Sequence, residues 1–141
     1  RIGRAPQRLL AEALDQILTY GWLQGALADP EGKACCSWGA LCRSQQNRID
    51  GGFETFPDSA IITATVALIK AMGADDRVDV ERAWKARYDE DLNWAEAVQR
   101  FRQLKFGQST VLIMWNDTPG RTLDDVKRLF NQAIANLQEA A

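Results

Sequence analysis

The chain has 141 residues, of which 46% are hydrophobic and 26% are charged, and its formal net charge is -2. This length predicts one domain, residues 1–141, that buries roughly two-thirds of its surface. The small net charge argues against a nucleic-acid-binding protein, and the lack of histidine excludes Ser/His and Cys/His catalytic pairs within one chain.

The first half of the chain predicts two helices separated by an irregular segment. Apolar residues recur at three- and four-residue steps from Arg4 to Tyr20, and Gly21 is then predicted to end this helix. Ser37 is predicted to cap a second, short helix. The segment 43–57 is polar, contains glycines and has no periodicity, which indicates a long loop.

Three further main helices and a second short one are predicted before the closing helix. A central helix should open at Pro57 and stop at Gly73; it is apolar on nearly every face, and a buried strand is the alternative. Asp79 is predicted to cap the next helix, and Asn93 begins a capping box for the one after, which should end at Gly107. Ser109 is then predicted to cap a short helical piece that leads into Trp115.

The clearest amphipathic helix closes the chain. Thr118-Pro119-Gly120 predicts a turn, because proline fixes φ and glycine accepts a positive φ. Thr122 then predicts an N-cap, with Asp125 at the third helical position of a capping box. Taken together, these patterns predict an all-α protein: a single compact helical domain of about five main helices with short helical pieces.

The three cysteines, Cys35, Cys36 and Cys42, lie close together in the sequence. An odd count is not typical of the disulfide framework of a secreted protein, so we expect free thiols in a cytoplasmic protein. No Cys-x-x-Cys pair is present, and we expect no metal site. No signal peptide is visible, and no apolar run is long enough to cross a membrane.

Motifs that would identify an enzyme are missing from the sequence. There is no P-loop, no dinucleotide fingerprint and no Gly-x-Ser-x-Gly elbow. Adjacent carboxylates such as Asp75-Asp76 and Asp124-Asp125 fall in loops or first helical turns, where solvation and the helix dipole explain them. The sequence therefore predicts no catalytic residue and no cofactor.

One candidate functional surface combines aromatic rings with amide and carboxylate side chains. Asn116 and Asp117 are a polar pair between two apolar segments; they either cap neighbouring backbone groups or line a ligand or partner site. Gly39 allows either a close packing contact or a ligand against its backbone. Aromatic rings and amides together suit a small-molecule or partner pocket. The predicted set is Trp22, Gln24, Trp38, Gly39, Trp115, Asn116 and Asp117.

Three short motifs carry a resemblance to a known family. They are Gly21-Trp22-x-Gln24-Gly25, Cys36-x-x-Gly39-Ala40-Leu41, and Trp115-Asn116-Asp117 followed by Thr122 and Val126. Together they resemble the domain of unknown function 6197 family of small bacterial and phage proteins. The resemblance covers most of the chain and implies a compact, mainly helical domain with no assigned activity. It also implies that Gln24, Gly39, Asn116 and Asp117 form one neighbourhood.

These observations favour a non-enzymatic binding or interaction protein that acts on a host protein or a small ligand. The resemblance is compatible with a phage or mobile-element origin. A structural, virion-type subunit that completes the burial of its apolar stripes in a homo-oligomer is the alternative. The third hypothesis is a small enzyme that uses carboxylates or a cysteine.

Overall fold

The computed structural model describes residues 4–48, 58–89, 91–102 and 107–140. Within these ranges the chain forms seven α-helices and two isolated β-bridges but no strand, which confirms the predicted all-α class. The helices are α1 (Arg4–Tyr20), α2 (Ser37–Arg48), α3 (Asp58–Ala71), α4 (Ala74–Tyr88), α5 (Trp94–Arg102), α6 (Gly107–Asn116) and α7 (Leu123–Ala140).

The core forms where α1, α3 and α7 pack against one another, with α2 against α1 and α6 against α3. Leu9, Leu68, Leu112 and Phe130 are fully buried there and come from four different helices. Burial of each such side chain stabilises the fold by about 1.5–3 kcal/mol. No helix within the described ranges combines the length and the apolar character that crossing a membrane requires.

Helix α6 occupies the centre of the molecule and determines where the candidate site lies. It packs against α2, α3, α4 and α5, and seven of its ten residues are buried. Its last two residues, Trp115 and Asn116, are both fully buried. The turn that follows α6 is therefore held against several elements of the fold at once.

Several predicted helix ends are confirmed. Helix α1 ends at Tyr20, and Gly21 follows it with a φ of +107°. At the start of α7, the Asp125 amide donates to the Thr122 hydroxyl at 3.2 Å, and the Thr122 amide donates to the Asp125 carboxylate at 2.9 Å. Before α5, the Glu96 amide donates to Asn93 Oδ1 at 2.9 Å, and the Asn93 side-chain amide, not its backbone amide, donates to Glu96 Oε1 at 2.7 Å. These are local signals, so the sequence alone reveals them.

Helix α2 is longer than predicted. It continues to Arg48, so residues 43–48 are helical rather than part of a loop; residues 49–57 lie outside the described residues. Ser44 and Gln45 are buried in α2 although they are polar. Tertiary packing rather than an apolar stripe sustains this part of the helix, which is why periodicity does not reveal it.

Two other predicted helix boundaries are wrong. Helix α4 begins at Ala74 rather than after Asp79, because the Asp76 carboxylate accepts the Gly73 amide at 2.9 Å and completes an earlier cap. Gly107 begins α6 instead of ending α5, so the predicted short piece capped by Ser109 is a ten-residue helix. Residues 103–106, between α5 and α6, lie outside the described residues.

Candidate functional site

Asn116, the last residue of α6, is the centre of a hydrogen-bond network and is fully buried. Its Oδ1 accepts from Trp22 Nε1 at 2.7 Å, from the Ser37 amide at 3.0 Å and from the Ser37 hydroxyl at 2.7 Å. Its Nδ2 donates to the Leu23 carbonyl at 3.1 Å and to Asp117 Oδ1 at 3.0 Å. The Trp22 indole and the Ser37 backbone amide can only donate, so the side-chain oxygen of Asn116, not its nitrogen, must face them. Both hydrogens of the Asn116 side-chain amide are used in hydrogen bonds inside the protein.

Two further side chains extend this network to the next turn. Gln24 Nε2 donates to the carbonyls of Asn116 and Thr118, each at 2.9 Å. Asp117 Oδ1 accepts the Gly25 amide at 3.0 Å. The Gln24 amide thus satisfies carbonyl groups that the end of α6 leaves without helical partners. We call Trp22, Gln24, Ser37, Asn116 and Asp117 the Asn116 lock.

The Asn116 lock holds a loop between α1 and α2 whose tip is exposed. Residues 24–33, which we call the presentation loop, are all exposed, and Leu27 retains 50% of its accessible surface. The base of the loop is tied by backbone bonds from Leu23 to Cys35 at 3.3 Å and from Cys35 to Gly21 at 3.2 Å. The Cys36 amide also donates to the Leu27 carbonyl at 3.1 Å. The loop backbone is therefore held at its base and at Leu27, and apart from Gln24, whose side chain bonds to the end of α6, the loop residues present their side chains to solvent.

Gly39 allows the presentation loop to pack directly on α2. A Cβ atom at this position would lie 2.0 Å from the Leu27 carbonyl oxygen and 2.9 Å from its carbonyl carbon. Real side chains do not approach a backbone this closely. A packing contact with the loop therefore explains why a glycine stands here.

Replacing Gly39 with alanine is expected to lower the free energy of unfolding by about 2 kcal/mol, because the added methyl group must displace the Leu27 backbone. Chemical denaturation would measure the change. Gly73→Ala is the matched control, since its Cβ would have only the Asp76 carboxylate nearby, at an ordinary 3.7 Å. Equal effects from the two substitutions would contradict the packing role of Gly39.

The predicted site residues do not all meet. Trp22, Gln24, Asn116 and Asp117 join in the Asn116 lock, and Gly39 contacts the loop that the lock holds. The two other tryptophans have different surroundings. Trp38 is half-buried and packs against the core, and Trp115 is fully buried with its indole directed to α4. Sequence reasoning missed Ser37 as a partner of Asn116 and treated it only as a helix cap.

A second polar cluster, also missed, lies on the α4 side of the same turn. Asp76 Oδ1 accepts from Trp115 Nε1 at 2.9 Å and from Arg128 Nη2 at 3.0 Å. Arg121 Nη1 lies 3.6 Å from the same oxygen, and Arg121 Nη2 donates to Asp79 Oδ2 at 3.0 Å. In the sequence, Asp76 has only the pattern of a solvated first-turn carboxylate. Its partners on α6 and α7 are distant in the chain, so no local signal indicates them.

Asp76 stays ionised in this cluster. Burial raises the pKa of its carboxyl group, but hydrogen bonds from the Trp115 indole, the Gly73 amide and the Arg128 guanidinium outweigh burial. The charge of Arg128 acts in the same direction, and the pKa of Asp76 is lowered overall. The cluster thus keeps a buried negative charge compensated by two arginines.

Arg121 connects this cluster to the end of α6. Its Nε donates to the Trp115 carbonyl at 2.9 Å, and its guanidinium carbon lies 4.4 Å from the centroid of the Trp115 ring. Only 7% of its side chain is exposed. The turn after α6 is therefore held on one side by the Asn116 lock and on the other by Arg121.

All three cysteine thiols have raised pKa values. Burial raises the pKa of Cys35 and of Cys36, and the nearby Asp117 charge raises that of Cys36 further. Burial also raises the pKa of Cys42, to about 11. Because the thiolate is the nucleophile, these cysteines are poorly suited to covalent chemistry at neutral pH. Within the described ranges, no group of three or more His, Cys, Asp or Glu side chains is placed to hold a metal ion.

Comparison with known proteins identifies the family. A family model described as "Family of unknown function (DUF6197)" matches residues 2–136. The chain therefore belongs to this family. No curated protein and no solved structure matches the chain.

Proposed function

We propose that this family member is a non-enzymatic binding protein whose presentation loop contacts a protein partner. The observation that carries the proposal is the Asn116 lock: side chains from three parts of the chain fix one exposed loop. A loop that is already ordered loses little conformational freedom on binding, which favours affinity. Binding residues are often found on loops that a rigid scaffold positions in this way.

The chemistry of the presentation loop suits a protein surface better than a small ligand. Leu27 is half-exposed, and the charged residues Asp29, Glu31 and Lys33 are exposed beside it in the chain. An apolar anchor with a polar rim is the usual composition of a protein interface. The polar groups of Asn116 are occupied inside the protein and do not contribute to an open small-molecule pocket.

The buried reactive groups support a non-enzymatic role. The raised pKa values of the thiols keep them protonated, and the carboxylate of Asp76 is occupied by ion pairs and hydrogen bonds. Free thiols also fit a reducing compartment, which supports the cytoplasmic location that we propose. With a phage or mobile-element origin, the partner would be a host protein.

Site-specific photo-crosslinking in cells of the native host tests the proposal. A photoreactive amino acid at position 27 is expected to crosslink one discrete protein. Position 123 is the matched control, because Leu123 is also an exposed leucine, at 38%, but lies on α7. The partner should also co-purify with the unmodified chain and be lost in the Leu27→Asp variant.

Two results would contradict the proposal. Equal crosslinking from positions 27 and 123 would indicate nonspecific contact rather than a binding loop. A crosslinked homodimer, together with a melting temperature that rises with protein concentration, would favour the alternative of a structural, assembly-type subunit.

A further inference from the structure

A cavity of about 140 Å³ lies among α3, α4, α5 and α6 and shares no residue with the Asn116 lock or the presentation loop. An engineered protein cavity of about 150 Å³ binds benzene, so this space accommodates an apolar group of roughly six carbon atoms. Its walls are mainly aliphatic and include one aromatic ring. The apolar lining residues are Val66, Ile69, Trp94, Val98 and Val111.

The polar groups of the cavity are two cations and one amide. Lys70, in the last turn of α3, and Arg77, in α4, line the space together with Gln108. The Arg77 guanidinium carbon lies 5.5 Å from the centroid of the Trp94 ring, which places this cation beside the aromatic wall. Within the described ranges, neither cation has a carboxylate within 4 Å. No carboxylate among the described residues therefore competes with a bound anion for these two positive charges.

We propose that this cavity binds a small organic acid, with an apolar body of about six carbons inside and its carboxylate at Lys70 and Arg77. The volume sets the size of the apolar part, and the two cations select an anionic head group over a neutral one. This function goes beyond the contact proposed for the presentation loop and depends on different residues. Small-molecule sites in proteins commonly have this composition, an apolar lining with a few positioned polar groups.

A chain-length series measures the size limit directly. Butanoate, hexanoate, octanoate and decanoate would be titrated into the full chain, with the indole NMR signal of Trp94 as the reporter. Affinity is expected to rise roughly four-fold for each added methylene that becomes buried, and to level off near six carbons. Hexanol, which lacks the charge, should bind more weakly than hexanoate. A rise that continues unchanged to decanoate would indicate nonspecific apolar adsorption and overturn the proposal.

Variants separate the two parts of the site. The double variant Lys70→Met, Arg77→Met changes only exposed residues and should weaken hexanoate binding about ten-fold, leaving hexanol binding unchanged. Lys127→Met, an exposed lysine on α7, is the matched control and should have no effect. Val98→Phe should fill the cavity and prevent both ligands from binding. The proposal is overturned if hexanoate causes no shift, or if the double variant binds it as the unaltered chain does.

Discussion

The Asn116→Ala substitution is expected to lower the free energy of unfolding by about 4 kcal/mol and to release the presentation loop. The substitution removes the acceptor of three hydrogen bonds, from the Trp22 indole and from the amide and hydroxyl of Ser37. It also removes the donor to the Leu23 carbonyl. Each buried polar group left without a partner costs about 1–3 kcal/mol. Water that enters as the loop opens forms hydrogen bonds with some of these groups, which reduces the total loss of stability.

Guanidinium unfolding would give the stability change, and hydrogen exchange would locate it. Amides of residues 21–37 should lose protection in Asn116→Ala more than amides of α1 or α7 do. Asn131→Ala is the matched control, since Asn131 is an exposed asparagine of α7, and its change should stay within about 0.5 kcal/mol. A loss of stability with unchanged exchange in the loop would argue against the lock as the element that fixes it.

The Asn116→Asp variant separates the acceptor from the donor. Aspartate retains the oxygen that faces Trp22 and Ser37 but loses the hydrogens given to Leu23 and Asp117. It also places a second negative charge where Asn116 Nδ2 lies 3.0 Å from an Asp117 oxygen. We expect this variant to be destabilised as well, and more strongly above the pKa of its new carboxyl group, since like charges then repel.

The contrast between α7 and α2 shows which parts of the fold the sequence can predict. The start of α7 depends on Thr122 and Asp125, three residues apart, so both partners appear in one short window. The second half of α2 depends on the burial of Ser44 and Gln45 against other elements, which no window of sequence contains. Local caps and apolar stripes are therefore predictable, and helices sustained by tertiary packing are not.

The candidate site divides in the same way. The sequence shows a polar pair, Asn116-Asp117, between two apolar segments, and this pair correctly indicates the turn after α6 as part of the candidate site. Its main partner is Ser37, 79 residues away, and an ordinary helix cap looks the same in sequence. Adjacency in the sequence suggests that Trp115 belongs with this pair, but neighbouring helical residues point about 100° apart. Its indole therefore reaches Asp76 on α4 instead.

Removing the buried carboxylate of Asp76 is the other change with a large expected effect. In Asp76→Ala, the Trp115 indole and the Gly73 amide lose their acceptor. Among the described residues Arg121 then has one carboxylate partner left, Asp79, and only 7% of the Arg121 side chain is exposed to water. Breaking a buried ion pair on one side costs about 3–5 kcal/mol. Arg128 is half-exposed and regains water, so we expect a loss near the lower limit, about 3 kcal/mol.

The pH dependence identifies the charge of Asp76 as the source of this stability. Its pKa is lower in the folded protein than in the unfolded chain, so its contribution is fully present above about pH 4 and disappears as the pH falls through the folded-state pKa. The free-energy difference between the unaltered protein and Asp76→Asn should therefore be constant from about pH 5 to pH 7 and shrink below about pH 4. Urea unfolding across this range measures it. Asp75→Asn, a substitution of the exposed neighbour, is the control and should lose much less stability than Asp76→Asn at pH 7. A difference that does not vary with pH would mean that Asp76 acts by shape and neutral hydrogen bonds alone, because asparagine carries no charge at any of these pH values.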